Sequence, residues 1–184
     1  MKNDYRRVMV DLETLGTRPG CAILSIGAVF FSASQPEWKG STFYAPINRL
    51  SCLAAGLTED PDTVEWWRRQ GATARQVLAD ADLGATPPLA FVLNAFSTWL
   101  ELHCDSGVQI WGNGADFDNV ILEAAYVSAK LPRPWGPYNG RCYRTLKALH
   151  TKEKIVRSGT HHNALDDAVS QAEHAVRILK ALKS

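Results

Sequence analysis

Apolar positions run continuously or alternate through the first fifty residues, then switch to helical spacing. Arg7 to Leu15 reads as a strand carrying Val8, Met9, Val10 and Leu12. Ala22 to Phe31 is almost unbroken apolar sequence, the pattern of a central strand covered on both faces. Ser41 to Ile47 alternates more weakly and gives a third strand. Gly20 and the stretch Ser32 to Gly40 supply the breaks. Such short connections favour an antiparallel meander of three strands. Beyond it, Asp62 or Thr63 is a predicted cap for a helix through Val64, Trp66, Trp67 and Arg68. Pro87 and Pro88 open another, with Phe91, Val92, Ala95, Phe96, Trp99 and Leu100 at helical spacing. Val108 to Trp111 reads as a short strand ending at Gly112, Asp116 to Lys130 as a helix, and Cys142 to Thr145 as a last strand. A final helix carries Ala164, Leu165, Ala168, Ala172, Ala175, Val176 and Leu179 on one stripe. Together these predict an α/β fold: a mixed sheet, built of the meander plus added strands and flanked by helices.

The 184 residues suffice for one domain, read as 1–184, with a substantial core. At 46% hydrophobic and 21% charged the balance is globular rather than disordered. No apolar run approaches the ~20 residues of a membrane span, and the start lacks the apolar stretch of a secretory signal. The expectation is a soluble cytoplasmic protein. Cys21, Cys52, Cys104 and Cys142 show no close metal-ligand spacing and read as reduced, mostly buried thiols.

The net charge of +1 hides an uneven distribution. Lys130, Arg133, Arg141, Arg144, Lys147, Lys152, Lys154 and Arg157 face one acid, Glu153, so this segment is +7 and the remainder −6. A basic arm on an acidic body suits a polyanion approaching carboxylates. A solvated loop would look the same. Within the arm, Pro132 to Gly140 and Thr151 to Thr160 read as mobile.

Four acids and one histidine stand out by position. Asp11 and Glu13 interrupt an apolar strand two residues apart, hence on one face. Their Cα atoms should lie roughly 6.6–6.8 Å apart, close enough to serve one small cluster of ions. Asp118 precedes the helical stripe Ile121, Leu122 and Ala125 by three, four and seven residues, so it points toward the protein body. An acid in a first turn also suits the helix dipole, which leaves a structural role open. Asp116 reads as the cap of that helix. In His161-His162-Asn163-Ala164-Leu165-Asp166-Asp167, Asn163 is the predicted N-cap and Asp167 enters the first turns. The histidines alone would equally make an exposed capping pair. Together the set fits phosphodiester hydrolysis. Carboxylates hold hard cations such as Mg²⁺ or Mn²⁺, two such ions clamp the attacking and leaving oxygens, and a histidine accepts the proton of the attacking water.

Asp11-Leu12-Glu13-Thr14-Leu15-Gly16, Asn113-Gly114-Ala115-Asp116-Phe117-Asp118 and His162-Asn163-Ala164-Leu165-Asp166-Asp167 resemble, in order and spacing, the three motifs of the DEDDh 3′→5′ exonucleases. The resemblance runs from Val8 to about Leu179. Ala22 to Val29, Trp111 to Asn119 and the pair Trp66-Trp67 are closer to the branch of phage exonuclease A, exonuclease VIII-type proteins and a small bacterial exoribonuclease. The resemblance implies a ribonuclease H-like fold and 3′→5′ exonuclease activity on single-stranded nucleic acid, releasing nucleoside 5′-monophosphates. It implies Asp11, Glu13, Asp118 and Asp167 as ligands of two divalent ions, Mg²⁺ or Mn²⁺, with His162 as general base. The acid after a Phe selects Asp118 over Asp116, and the five-residue interval selects His162 with Asp167. Thr14 and Leu15 match positions that hold the terminal nucleotide, with Leu15 as a wedge. Trp66 is a candidate for base stacking, and Arg141 and Arg144 for phosphate. DNA is slightly favoured over RNA, and a homodimer is a further expectation. The alternatives are an exoribonuclease and a non-catalytic nucleic-acid-binding module. A His-Asp phosphohydrolase is set aside, because the chain has no His-Asp dipeptide.

Overall fold

Strand β2 (Ile23–Phe31) buries all nine of its residues. That is possible only at the centre of a sheet covered on both faces, as its continuous apolar sequence requires. In this computed structural model, which describes residues 6–32, 41–104 and 107–182, β2 lies between β1 (Arg7–Thr14) and β3 (Thr42–Pro46), antiparallel to both. β4 (Gln109–Gly112) pairs parallel with β1, and β5 (Gly140–Cys142) parallel with β4. The sheet order is β3-β2-β1-β4-β5. The predicted meander and the added strand at Val108 to Trp111 are present, and the sheet has a fifth strand. The expected break at Ser32 to Gly40 lies, beyond Ser32, outside the described residues.

Seven helices are described: α1 (Arg49–Ala54), α2 (Pro61–Arg68), α3 (Ala72–Asp82), α4 (Leu89–His103), α5 (Asp118–Ser128), α6 (Tyr143–Leu149) and α7 (Ala164–Ala181). None among the described residues is long and apolar enough to cross a membrane. The cap of α2 is Asp60, whose carboxylate accepts from the backbone N–H of Asp62 at 2.9 Å and of Thr63 at 3.4 Å. Neither Asp62 nor Thr63 is the cap, because Pro61 already takes the first helical position. Asp116 does not cap α5 either. Phe117 stands at that position, and Asp118 opens the helix. The strand expected at Cys142 to Thr145 ends at Cys142, and α6 begins at Tyr143 with the Cys142 sulfur accepting from Thr145 N–H. A four-residue run is too short for periodicity to separate strand from helix. α1 and α3 have no counterpart among the sequence expectations. Cys21 and Cys52 are buried, Cys104 and Cys142 are half-buried, and no disulfide joins any of the four.

The period-two alternation of β1 sorts its side chains between two cores. Val8, Val10 and Leu12 join a large core with α4 and α5, whereas Met9 joins a smaller one with Val29, Phe31 and the stripe of α7. Asp11 and Glu13 share the face of Met9, so they stand under α7. α7 lies very close to the sheet at Gly27, the cross-strand partner of Asp11. A Cβ at Gly27 would stand 2.1 Å from the carbonyl carbon of Ala164 and 2.2 Å from the nitrogen of Leu165.

Candidate active site

The ladder between β1 and β4 ends at Met9–Trp111. Past that point the backbone of β1 finds another partner. Asp118, at the start of α5, accepts from Leu12 N–H at 3.2 Å through Oδ1 and from Asn113 N–H at 2.7 Å through Oδ2. The carboxylate is 1% exposed and bolts the two diverging strands together just behind Asp11 and Glu13. The β1–β2 register also shifts between Glu13 and Thr14. Such bulges bend a strand and re-aim its side chains, often beside active sites. The Trp67 indole N–H donates to Thr14 O at 2.9 Å, fixing the end of the strand against α2.

Asp167 arrives from the other side of the cleft. The Asn163 side chain caps α7 by accepting from Leu165 and Asp166 N–H, as predicted. Asp167 follows in the first turn, and its Oδ2 accepts from His162 N–H at 3.1 Å. Its Oδ1 forms an ion pair with Arg157. Asp11, Glu13 and Asp167 each place one carboxylate oxygen within 4.8 Å of the others, and His161, His162 and Asp167 form a second such group. Asp118 lies outside both groups, yet near enough for its charge to act on Asp11 and Glu13.

Electrostatically the cluster is strained. Burial, then the charges of Asp118, Glu13 and Asp167, hold Asp11 well above the usual carboxylate range, against a lowering hydrogen bond from Gln171. Burial, then Asp167 and Asp118, push Glu13 up to about 8. Burial raises Asp118 to about 6, while the N–H groups of Asn113 and Leu12 oppose it. Close carboxylates that resist ionisation in a cleft are a mark of a functional site. His162 moves the other way: burial and His161 lower it, with Asp167 opposing. Its imidazole is therefore neutral near pH 7.

His162 adopts φ +63, a conformation rare outside glycine. Its ring meets the edges of Trp66 at 5.1 Å, Trp67 at 6.0 Å and His161 at 3.9 Å. The loop before it, expected to be mobile, is pinned to α7 at four points. His174 Nε2 donates to Glu153 O at 3.1 Å, and Arg177 to Lys154 O at 3.2 Å. Ser158 N–H donates to Ser170 Oγ at 3.0 Å, and Thr160 N–H to Asp166 Oδ2 at 2.7 Å. The Tyr143 hydroxyl, 2.6 Å from His174 Nδ1, sets the tautomer that leaves Nε2–H for Glu153.

A cleft of about 610 Å³ opens here, and Asp11, Glu13, Thr14, Trp66, His162 and Asp167 are among the residues that line it. Thr14 is there, its hydroxyl donating to Gly16 O at 2.7 Å. Leu15 is not: it is fully buried in the large core. As placed it offers no surface to a base, which corrects the expectation of a wedge. Arg141 and Arg144 also lie outside the cleft. The Arg141 guanidinium donates to Tyr138 O and Gly140 O, and Arg144 lies beside Gly114, its charge reaching Asp118. Of the adjacent tryptophans, Trp67 is core at 2% exposure and Trp66 is rim at 43%. Sequence reasoning missed Arg157 and Gln171 as members of the site. Gln171 is one turn after Asp167 on the same helix face, and its amide donates to Asp11 Oδ1 at 2.7 Å. That spacing was available as a signal; nothing in the sequence pairs Arg157 with Asp167.

Residues 6–179 match the family described as the 3′-5′ exoribonuclease Rv2179c-like domain. Among curated proteins no relative is found. The fold is similar to that of the nuclease domain of 3′hExo, a DEDDh family member, bound to rAMP. The TM-score is 0.64 at 14% identity, covering 98% of this chain and 95% of that one. A full-length 3′-exonuclease matches with TM-score 0.57 at 15% identity over 96% and 83% of the two chains. Cell-death related nuclease 4 (CRN-4) matches with TM-score 0.55 at 13% identity over 95% and 64%. At these identities the likeness establishes the fold, the ribonuclease H-like mixed sheet flanked by helices.

Proposed function

Since the chain belongs to the 3′-5′ exoribonuclease Rv2179c-like domain family, we propose that it hydrolyses terminal phosphodiesters from the 3′ end of single-stranded RNA, releasing nucleoside 5′-monophosphates. The observation that carries this reading is the convergence of Asp11, Glu13 and Asp167 within 4.8 Å, with Asp118 buried behind them. RNA is placed ahead of DNA, reversing the slight preference drawn from the motifs. Its support is the family's description and the rAMP bound to the 3′hExo nuclease domain. The span of the match, 6–179, supports one exonuclease domain. Pairing of two copies is part of the proposal. Phe91 and Leu102, both exposed and about three turns apart on one face of α4, support it.

The donor set fits hard cations. It consists of carboxylates without a cysteine among the cleft-lining residues, and the buried Gln171 Oε1 has no partner among the described residues. Asp11, Glu13, Asp118 and Asp167 would hold two divalent ions, Mg²⁺ or Mn²⁺, whose chemistry is to stabilise charge on the attacking and leaving oxygens. Gln171 orients Asp11 by holding Oδ1. His162 accepts the proton of the attacking water, its ring steered by Trp66 and Trp67. Thr14 and the exposed ring of Trp66 meet the terminal nucleotide. Arg141 and Arg144, outside the cleft, would track phosphates of the strand upstream. Leu15 has no part in this set.

The test is a time course on two end-labelled strands of one sequence, RNA and DNA, with Mg²⁺, Mn²⁺ or EDTA, and Asp118→Asn as the blank. A metal-dependent ladder shrinking from the 3′ end, faster on RNA, is expected. Faster DNA digestion would reverse the substrate assignment. Cleavage of neither strand would favour the non-catalytic binding module instead.

A further inference from the structure

Among the described residues lining the cleft, Arg157 carries the one permanent positive charge, against Asp11, Glu13, Asp60, Asp62 and Asp167. A polyanion entering so acidic a cleft needs a cation to meet it. The other basic residues of the arm lie outside the cleft. Arg133 pairs with Glu123, Arg141 is held by two carbonyls, and Lys147 lies 5.3 Å over the Tyr143 ring.

The backbone around Arg157 is anchored on both sides, at Lys154 and at Ser158. Its side chain is about half exposed, whereas its partner Asp167 is 12% exposed. A fixed stem with a solvent-facing guanidinium lets the side chain change partner without moving its loop. Both oxygens of Asp167 are already engaged. Oδ1 takes the guanidinium and Oδ2 takes His162 N–H. A divalent cation on Asp167 draws on the same oxygens, so it competes with Arg157. Once displaced, the guanidinium needs another oxyanion, and a phosphate matches its planar fork bidentately.

We propose that Arg157 is a substrate-contacting residue that changes partner, pairing with Asp167 first and with the scissile phosphate once a divalent cation takes that carboxylate. The inference rests on the exonuclease reading above. It differs from that reading in giving one residue two effects of opposite sign.

The experiment compares wild type with Arg157→Met, which keeps length without charge, and with Arg157→Lys and Arg157→Ala. Calorimetric titration with Mn²⁺ alone should show the Met variant binding roughly two- to fivefold more tightly, the worth of a partly exposed ion pair removed. Hydrolysis of the RNA strand at saturating Mn²⁺ should fall about 10²-fold in kcat/KM, the usual loss for one charge-stabilising donor. Lys should restore part of it, and added guanidinium should partly rescue the Ala variant. General damage to the fold would weaken both metal binding and turnover. Mn²⁺ binding by the Met variant that is unchanged or weaker overturns the proposal. So does an undiminished kcat/KM. A wild type that binds Mn²⁺ and cleaves neither strand ends the exonuclease reading instead, and the Mn²⁺ comparison among variants still reads the competition at Asp167.

Discussion

Glu13→Gln should stabilise the metal-free protein while abolishing turnover. The Glu13 carboxyl is 7% exposed and is pushed from 4.5 to about 8 by burial first and then by Asp167 and Asp118. The unfolded chain releases this proton near 4.5, whereas the folded one keeps it to about 8. Between those values the folded state binds more protons, so stability falls as pH rises, and it levels off above about 8. The span is 8 − 4.5, about 3.5 pH units. At ~1.36 kcal/mol each it sets a ceiling of about 5 kcal/mol. Asp11 and Asp118 share the same crowding, so the neutral isostere recovers only part, on the order of 1–2 kcal/mol. For a chain of this size each kcal/mol moves Tm by about 2–4 °C. The assay is thermal unfolding by circular dichroism in EDTA, at pH 5 and pH 8. The variant should be clearly more stable than wild type at pH 8 and nearly equal at pH 5. Saturating Mn²⁺ should reverse the order, because wild type gains more from a ligand of the folded state. A variant no more stable than wild type at pH 8, or equally more stable at both pH values, would refute the reasoning.

His162→Ala should slow hydrolysis by roughly 10²–10⁴-fold, the worth of a general base, and His161→Ala by much less. The opposite order would assign the base to His161. Because burial lowers His162, the acid limb of kcat/KM should fall below the ordinary histidine value of 6.5, and a limb above it would contradict that environment. Gln171→Met keeps length but drops the amide on Asp11. It should weaken Mn²⁺ binding by calorimetry about 10–100-fold, as loss of a ligand-orienting partner does, with Tm in EDTA little changed; equal affinity would remove Gln171 from the site. Neutralising Arg141, Arg144 and Lys147 together should reduce the slope of log K against log salt by about 0.7 for each phosphate no longer neutralised. An unchanged slope would place the strand elsewhere.

What the sequence made legible follows from periodicity. The two-residue repeat of β1 put Asp11 and Glu13 on one face, and the apolar stripe of α5 turned Asp118 inward, where it is 1% exposed. The 100° between adjacent helical residues correctly split Trp66 from Trp67. What stayed hidden depends on contacts distant in the chain. Thr151 to Thr160 is polar and includes Gly159, so locally it reads as mobile. Its order comes from Ser170, His174 and Arg177 on α7, partners that no local pattern reveals. The motif position of Leu15 implies a side chain open to a base, but its N–H and C=O are tied to Ala22 and Asp60. That pairing turns the side chain into the core.

Gly27 touches nothing chemical, yet it sets the width of the site. It stands opposite Asp11 in the sheet and beneath Ala164 and Leu165, only one turn before Asp167. The gap between the strand-borne and helix-borne acids is thus a backbone-to-backbone spacing with no side chain to act as a shim. The spacing of these acids cannot be retuned gradually by resizing a neighbour. A single added methyl at position 27 would lift the start of α7 and pull the acids apart, so heat-sensitive or metal-hungry alleles of this enzyme should be sought at a residue that carries no functional group.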